Sequence, residues 1–228
     1  MSDLVEYELN GSIATITMDD AKVNALSLPM LADINAALDR AAADKAVVVL
    51  KGRDGMFSAG FDLRVLGSGG SDGMSMLRGG FQLAERLLSY PVPVVIGCTG
   101  HAIAMGAFLL LSGDYRIGVS GPYKIQANEV AIGMTLPLSA IEICRQRLTP
   151  AHFNRTIGLA EAYVFDETAV EAGFLDRVVG WGELDDAVQA VATGVASLNM
   201  NAHAASKLKA REGALKALRA AIESEFPA

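Results

Sequence analysis

The sequence predicts an α/β (α+β) fold, and three observations carry that expectation. Two strand-like runs, residues 4–9 and 12–18, are joined by Asn10-Gly11, a dipeptide that favours the positive φ angles of a type I′ hairpin turn. A helical repeat then leads into the apolar run Ala46-Val47-Val48-Val49-Leu50, so hairpin, helix and strand form an early α/β crossover. The order strand, small-residue turn, helix then follows both Leu50 and Ile96.

Each element has a local reason. Ser27 is a candidate N-cap with Pro29 in the first turn, and Leu31, Ile34, Leu38 and Ala42 recur at helical spacing, so the spacing predicts a helix over 28–43. Residues 46–51 read as a buried strand. The glycine-rich stretch Gly67-Ser68-Gly69-Gly70-Ser71-Asp72-Gly73 lacks the GK[ST] of a phosphate loop and reads as a mobile loop, a lid at a pocket mouth. Met76, Leu77, Phe81, Leu83, Ala84 and Leu87 fit a helix over 74–89 that Tyr90-Pro91 ends. Residues 92–96 form a second buried strand, with Pro93 tolerated at its start. The small-residue turn 100–107 leads into the all-apolar helix 108–111, and 114–119 is a third inner strand.

Beyond it come a short strand over 123–126 and helices over 138–147 and 151–160, the second opened by Thr149-Pro150. Asp166 caps a short helix that Gly173 stops, and Val178-Val179 is β-like. Alanine-rich helices over 183–198 and 202–225 close the chain; Lys207, Lys209, Arg211 and Lys216 on the last one read most simply as a solvated face, with contact of a few of them to an anionic ligand as the alternative. The division expected is a core over 1–180 and a helical region over 181–228.

Composition narrows the function. Half of the 228 residues are hydrophobic (51%), enough for a sizeable core, and the net charge of −7 speaks against a nucleic-acid binder while leaving an anionic small ligand open. Cys98 and Cys144 sit in apolar runs and read as small buried hydrophobes. The start Met-Ser-Asp-Leu-Val-Glu is no signal peptide, and no apolar run reaches the ~18 residues of a spanning helix, so a soluble cytoplasmic protein is expected. His101, His152 and His203 are scattered without partners at ligand spacing, so no metal is expected, and no Gly-x-Ser-x-Gly elbow occurs.

The chemistry is therefore sought in the backbone. Ala59-Gly60-Phe61-Asp62 and Ala104-Met105-Gly106-Ala107 are small-residue turns that lead into helices, where free N–H groups and the positive end of a helix dipole collect. Two such turns facing each other would hold one developing oxyanion. On spacing alone, tight packing of helix on strand is the simpler account of the same glycines.

Three motifs in order change that balance. Phe57-Ser58-Ala59-Gly60-Phe61-Asp62-Leu63 resembles the first signature of the crotonase superfamily, the enoyl-CoA hydratases and isomerases. Gly100-His101-Ala102-Ile103-Ala104-Met105-Gly106-Ala107-Phe108, closing with Asp114-Tyr115-Arg116-Ile117, resembles the second, and Asn128-Glu129-Val130-Ala131-Ile132-Gly133-Met134 the third. The resemblance runs from the first hairpin to about Val179; the tail is shorter than is usual for the family. It implies a crotonase-like spiral of ββα units with a C-terminal helical trimerisation region, hence a homotrimer or a hexamer formed as a dimer of trimers. It implies an acyl-CoA thioester as substrate and no other cofactor. The thioester oxygen would lie between the backbone N–H groups of Phe61 and Met105, both bulkier than the residues common there. Lys22, Val23 and Ala25, with Ala59, Asp62 and Leu63, would line the nucleotide and pantetheine path, Lys22 meeting a phosphate.

The resemblance also bears on the reaction. Hydratases of the family position water between two glutamates. Here Phe108 occupies the first position, against the substrate, and Glu129 keeps the second. A phenylalanine cannot activate water, but one carboxylate suffices to move a proton from C2 to C4 of a 3-enoyl thioester. The expectation is a 3,2-trans-enoyl-CoA isomerase with Glu129 as its catalytic base. The alternatives are an enoyl-CoA hydratase working with one glutamate and a non-catalytic acyl-CoA-binding protein.

Overall fold

Strand β1 (Val5–Asn10) pairs antiparallel with β2 (Ile13–Met18), with Asn10 opposite Ile13. The computed structural model describes residues 4–68 and 70–227, so the first three residues, Gly69 and Ala228 lie outside it. The hairpin is as expected, but its turn is not type I′. Register puts Asn10 in the last rung, so Gly11 and Ser12 are the central pair, and only Gly11 has positive φ (59°). That is the type II′ pattern, with glycine first.

Helix α1 (Leu28–Ala43) starts where the sequence places it: the Ser27 side chain accepts from Met30 N–H, and Pro29 lies in the first turn. Its buried face is Met30, Leu31, Ile34, Ala37, Leu38 and Ala41. After β3 (Val47–Lys51) the chain makes β4 (Gly55–Ser58), then α2 (Leu63–Ser68) and α3 (Ser71–Ser89). After β5 (Val94–Cys98), with Pro93 just outside it, come β6 (Gly100–Ile103) and α4 (Met105–Leu111). After β7 (Tyr115–Val119) comes β8 (Gly121–Gln126). Each pass puts one strand in each of two sheets. The larger sheet runs β1-β2-β3-β5-β7-β10, closed by β10 (Arg177–Val179); the smaller runs β4-β6-β8-β9, closed by β9 (Tyr163–Phe165). From β2 onward the large sheet is parallel. This is the crotonase spiral.

Two expectations need correcting. The stretch 100–107 is not only a turn: its first four residues are β6. The glycine-rich stretch is not a loop. Residues 67 and 68 end α2, and residues 71–73 open α3, where Gly73 and Met76 are already buried; Gly69 lies outside the described residues.

Alternation along the inner strands separates two cores. Val48, Leu50, Val94 and Ile96 point into the main core with α1, α3 and α4, while Val47, Val49, Val95 and Ile117 pack under α8 (Leu184–Ala196) through Leu184, Val188 and Ala192. The remaining helices, α5 (Leu138–Arg147), α6 (Pro150–Leu159) and α7 (Glu167–Ala172, capped by Asp166 and stopped at Gly173), lie near the expected places. Helix α9 (Met200–Glu225) packs on α3 and α5. Among the described residues no helix is long and apolar enough to cross a membrane.

The basic face of α9 is the third correction. Lys207 is buried, with Nζ 2.7 Å from Asp114 Oδ2, and Arg211 lies 2.9 Å from Asp114 Oδ1. These two cations anchor α9 to the segment before β7; Lys209 and Lys216 are exposed as expected.

Candidate active site

The first two motifs meet. Gly60 has φ +90°, a conformation open to glycine, and a Cβ added there would sit 3.2 Å from Met105 N and 2.9 Å from the Ile103 carbonyl. A Cβ on Gly106 would sit 2.3 Å from the Ser58 carbonyl, so α4 can start this close to the first motif only with glycine at that position. The N–H groups of Phe61 and Met105 are not taken up by backbone carbonyls in the turn and cap hydrogen bonds of the described residues. Ala104 between them holds φ 50°, ψ −123°, a strained conformation for a residue with a Cβ, and lines the adjoining cavity. Relieving that strain with Ala104→Gly is expected to raise unfolding stability by about 1 kcal/mol, read from the midpoint of urea denaturation.

The loop at residues 22–26 is tied to the same place. Ala59 N–H donates to the Val23 carbonyl (2.9 Å), Leu26 N–H to the Gly60 carbonyl (2.8 Å), and Ser58 Oγ to the Asn24 carbonyl (2.7 Å). Asn24 is fully buried at φ 50°, its Nδ2 donating to the carbonyls of Met18 (2.9 Å) and Phe57 (3.1 Å). It fastens the hairpin, the loop and the first motif together.

Beside the two turns lies a cavity of about 420 Å³, lined by Ala59, Phe61, Leu63, Leu66, Leu77, Phe81, Ala104, Phe108, Asn128, Glu129, Ile132, Met134, Leu136, Glu225 and Phe226, among others. A larger concavity of about 610 Å³ lies elsewhere, around Arg53, Asp54, Trp181 and Asp185, and contains none of the motif residues, so it is not the site.

Glu129 is not a surface carboxylate. It is 8% exposed, leads into the 3-10 turn Val130–Ile132, and its carbonyl accepts from Met134 N–H (2.8 Å). Its Oε2 is buried without a hydrogen-bond partner among the described residues. Burial raises its pKa above the ordinary glutamate value. Phe108, 1% exposed, lines the same cavity. The second carboxylate there, Glu225, is committed: Oε1 accepts from Leu138 N–H (2.6 Å) and Oε2 from Ser139 N–H and Oγ (3.0 Å each), capping α5.

Of the residues expected at the site, the cavity collects Ala59, Phe61, Leu63, Phe108 and Glu129. Met105 is 1% exposed and does not line the cavity with its side chain, which leaves its backbone N–H as the group the expectation concerns. Lys22, Val23 and Ala25 lie outside the cavity on the tied loop, with Lys22 exposed. Asp62 also lies outside it, and its hydrogen bonds from Arg64 hold its carboxyl below the usual range. Among the described residues no group of three or more His, Cys, Asp or Glu side chains is placed to hold a metal ion. Sequence reasoning gave Phe81, Glu225 and Phe226 no part in the site, and placed Asn24 only as a member of the segment 22–25 on the nucleotide and pantetheine path; its role as a buried tie at positive φ emerges from the structure.

A two-sheet spiral in which two glycine-bearing turns abut beside a cavity lined by a buried carboxylate is the arrangement that the crotonase resemblance implies. The family model described as enoyl-CoA hydratase/isomerase matches residues 8–226. The structure is similar to that of the enoyl-CoA hydratase EchA3 from Mycobacterium ulcerans, with 49% identity, 97% of each chain covered and a TM-score of 0.94. It is equally similar to a Mycobacterium tuberculosis protein, at 50% identity, 98% of each chain and a TM-score of 0.94, which one structure describes as an enoyl-CoA isomerase and another as probable enoyl-CoA hydratase EchA3. A probable enoyl-CoA hydratase from Rhodobacter capsulatus is 34% identical over 54% of this chain, a match that spans about half (49%) of that relative. The chain belongs to the enoyl-CoA hydratase/isomerase family.

Proposed function

We propose that this protein converts 3-enoyl-CoA to 2-trans-enoyl-CoA. The observation that carries the reading is the carboxylate inventory of the cavity: Glu129 has a partnerless buried oxygen, Phe108 stands at the other glutamate position, and Glu225 is held by α5. In this reading the thioester oxygen accepts hydrogen bonds from Phe61 N–H and Met105 N–H. Glu129 takes a proton from C2, the electron pair moves onto the thioester oxygen, and a dienolate forms. The resulting carboxylic acid returns a proton at C4, and the double bond is left between C2 and C3. The apolar wall suits a reaction that consumes no water, and the raised Glu129 pKa brings its strength as a base closer to the task. The loop carrying Lys22, Val23 and Ala25, with Asp62 and Leu63, borders the pantetheine and nucleotide portion, with Lys22 reaching a phosphate. The coenzyme A thioester is the substrate, no further cofactor takes part, and the protein works in the cytoplasm as a homotrimer or a dimer of trimers.

A second reading, hydration of 2-enoyl-CoA with Glu129 alone, is favoured by the hydratase description of the M. ulcerans relative. Parallel assays with 3-enoyl-CoA and 2-enoyl-CoA separate the two. The expected result is a kcat/KM for isomerisation exceeding that for hydration by about 10²-fold or more, the contribution of one positioned acid–base group. A higher value for hydration reverses the assignment, and turnover of neither ester overturns both.

A further inference from the structure

The cavity has an exposed end and a buried end. Leu63 (71% exposed), Ile132 and Met134 form its rim, while Phe81, Phe108 and Phe226 are at most 6% exposed. The buried end is an aromatic stack. Phe81 lies 6.4 Å from Phe108 at 26°, and 5.4 Å from Phe226 at 9°. Two of these rings come from α3 and α4; the third comes from just beyond α9 and is held there by polar contacts on both sides. Arg78, one turn before Phe81 on α3, donates to the Phe226 carbonyl and pairs with Glu223 at 2.5 Å. Glu225, the preceding residue, caps α5 with both carboxylate oxygens. A ring fixed on both flanks and stacked on a buried neighbour cannot swing aside at low cost.

We propose that Phe226 sets the length of acyl chain the cavity accepts: with Phe81 it closes the inner end, so that the protein takes short acyl groups and excludes long ones. Arg78 and Glu225 act as positioning residues. The inference rests on reading the cavity as an acyl-CoA site. The volume agrees, as about 420 Å³ lies at the small end of the ~300–1,000 Å³ of ligand sites.

Calorimetric titration with the saturated esters butanoyl-, octanoyl-, dodecanoyl- and hexadecanoyl-CoA tests this without turnover. Affinity of the wild-type protein is expected to be highest for the short esters, butanoyl- or octanoyl-CoA, and to fall for dodecanoyl- and hexadecanoyl-CoA. In Phe226→Leu the ratio of dodecanoyl- to butanoyl-CoA affinity is expected to rise about tenfold, the contribution of roughly two further buried methylenes. Phe226→Trp is expected to shift the maximum to a shorter ester. Affinity that climbs steadily through hexadecanoyl-CoA in the wild type overturns the proposal without any variant, and so does an unchanged ratio in a folded Phe226→Leu. If none of the esters binds the wild type, the acyl-CoA reading itself fails and takes this inference with it.

Discussion

Glu129→Gln is expected to lower kcat for 3-enoyl-CoA by about 10²–10⁴-fold and at the same time to raise the melting temperature at neutral pH. The first effect follows from its role: an amide occupies the same space but cannot accept the C2 proton. The second follows from burial. Desolvation raises the folded-state pKa of Glu129 above its unfolded value. The stability contributed by the neutral form is therefore full below the unfolded pKa and is lost as pH rises through the folded one. Above the unfolded pKa the fold must either bury the charge with an unpartnered oxygen or hold on to the proton, and glutamine removes that cost. The stability gain should vanish below about pH 4, where glutamate is neutral in both states. The raised pKa also predicts that wild-type kcat falls on the acid side at a pH above the ordinary glutamate value of about 4.3. Melting curves and pH–rate profiles read all three. Full turnover in the variant would remove Glu129 from the chemistry; a lower melting temperature would show that its carboxylate is paired in solution.

Asp114→Asn is expected to destabilise the protein by about 3–5 kcal/mol, a fall in melting temperature of about 6–20 °C, and to do so far from the chemistry. Asp114 accepts from Val94 N–H (2.8 Å) and Lys207 Nζ (2.7 Å) and pairs with Arg211 (2.9 Å). The cation side chains are only 4% and 10% exposed, with Arg147 and His203 also near Lys207. Neutralising Asp114 leaves two buried cations without their counter-charge. The Lys207 pKa is lowered to about 8, first by burial and against the pull of Asp114. Between about pH 8 and 10.4 the unfolded chain binds more protons at this residue than the fold, so its contribution to stability rises with pH across that window. In Asp114→Asn the window opens at a lower pH, and the loss should shrink as Lys207 sheds its proton. A loss under 1 kcal/mol by urea denaturation would mean that the anchor contributes little.

These cases mark what a single sequence shows. Helix α1 was legible to the residue because Ser27, Pro29 and the apolar spacing agree locally. The short strands β4 and β6 were not: each is four residues long, too short to show a clear alternation, and is held in place by pairing within the second sheet. The glycine-rich stretch reads as a loop by composition, but burial of Gly73 and Met76 draws it into α3. Lys207 and Arg211 read as solvated because their partner, Asp114, lies some ninety residues earlier. The motif residues around Glu129 were legible as a set, whereas Phe226 and Glu225 enter the cavity only through the docking of α9 on α3 and α5.

The central claim is that Phe108 and Glu129 together direct an enolate toward proton transfer and away from addition of water. It is tested most directly by turning over 3-enoyl-CoA in heavy-oxygen water and weighing the product by mass spectrometry. The account predicts 2-enoyl-CoA with no heavy oxygen above the enzyme-free control. A 3-hydroxyacyl-CoA that carries the heavy oxygen, formed as fast as the double bond moves, would contradict it.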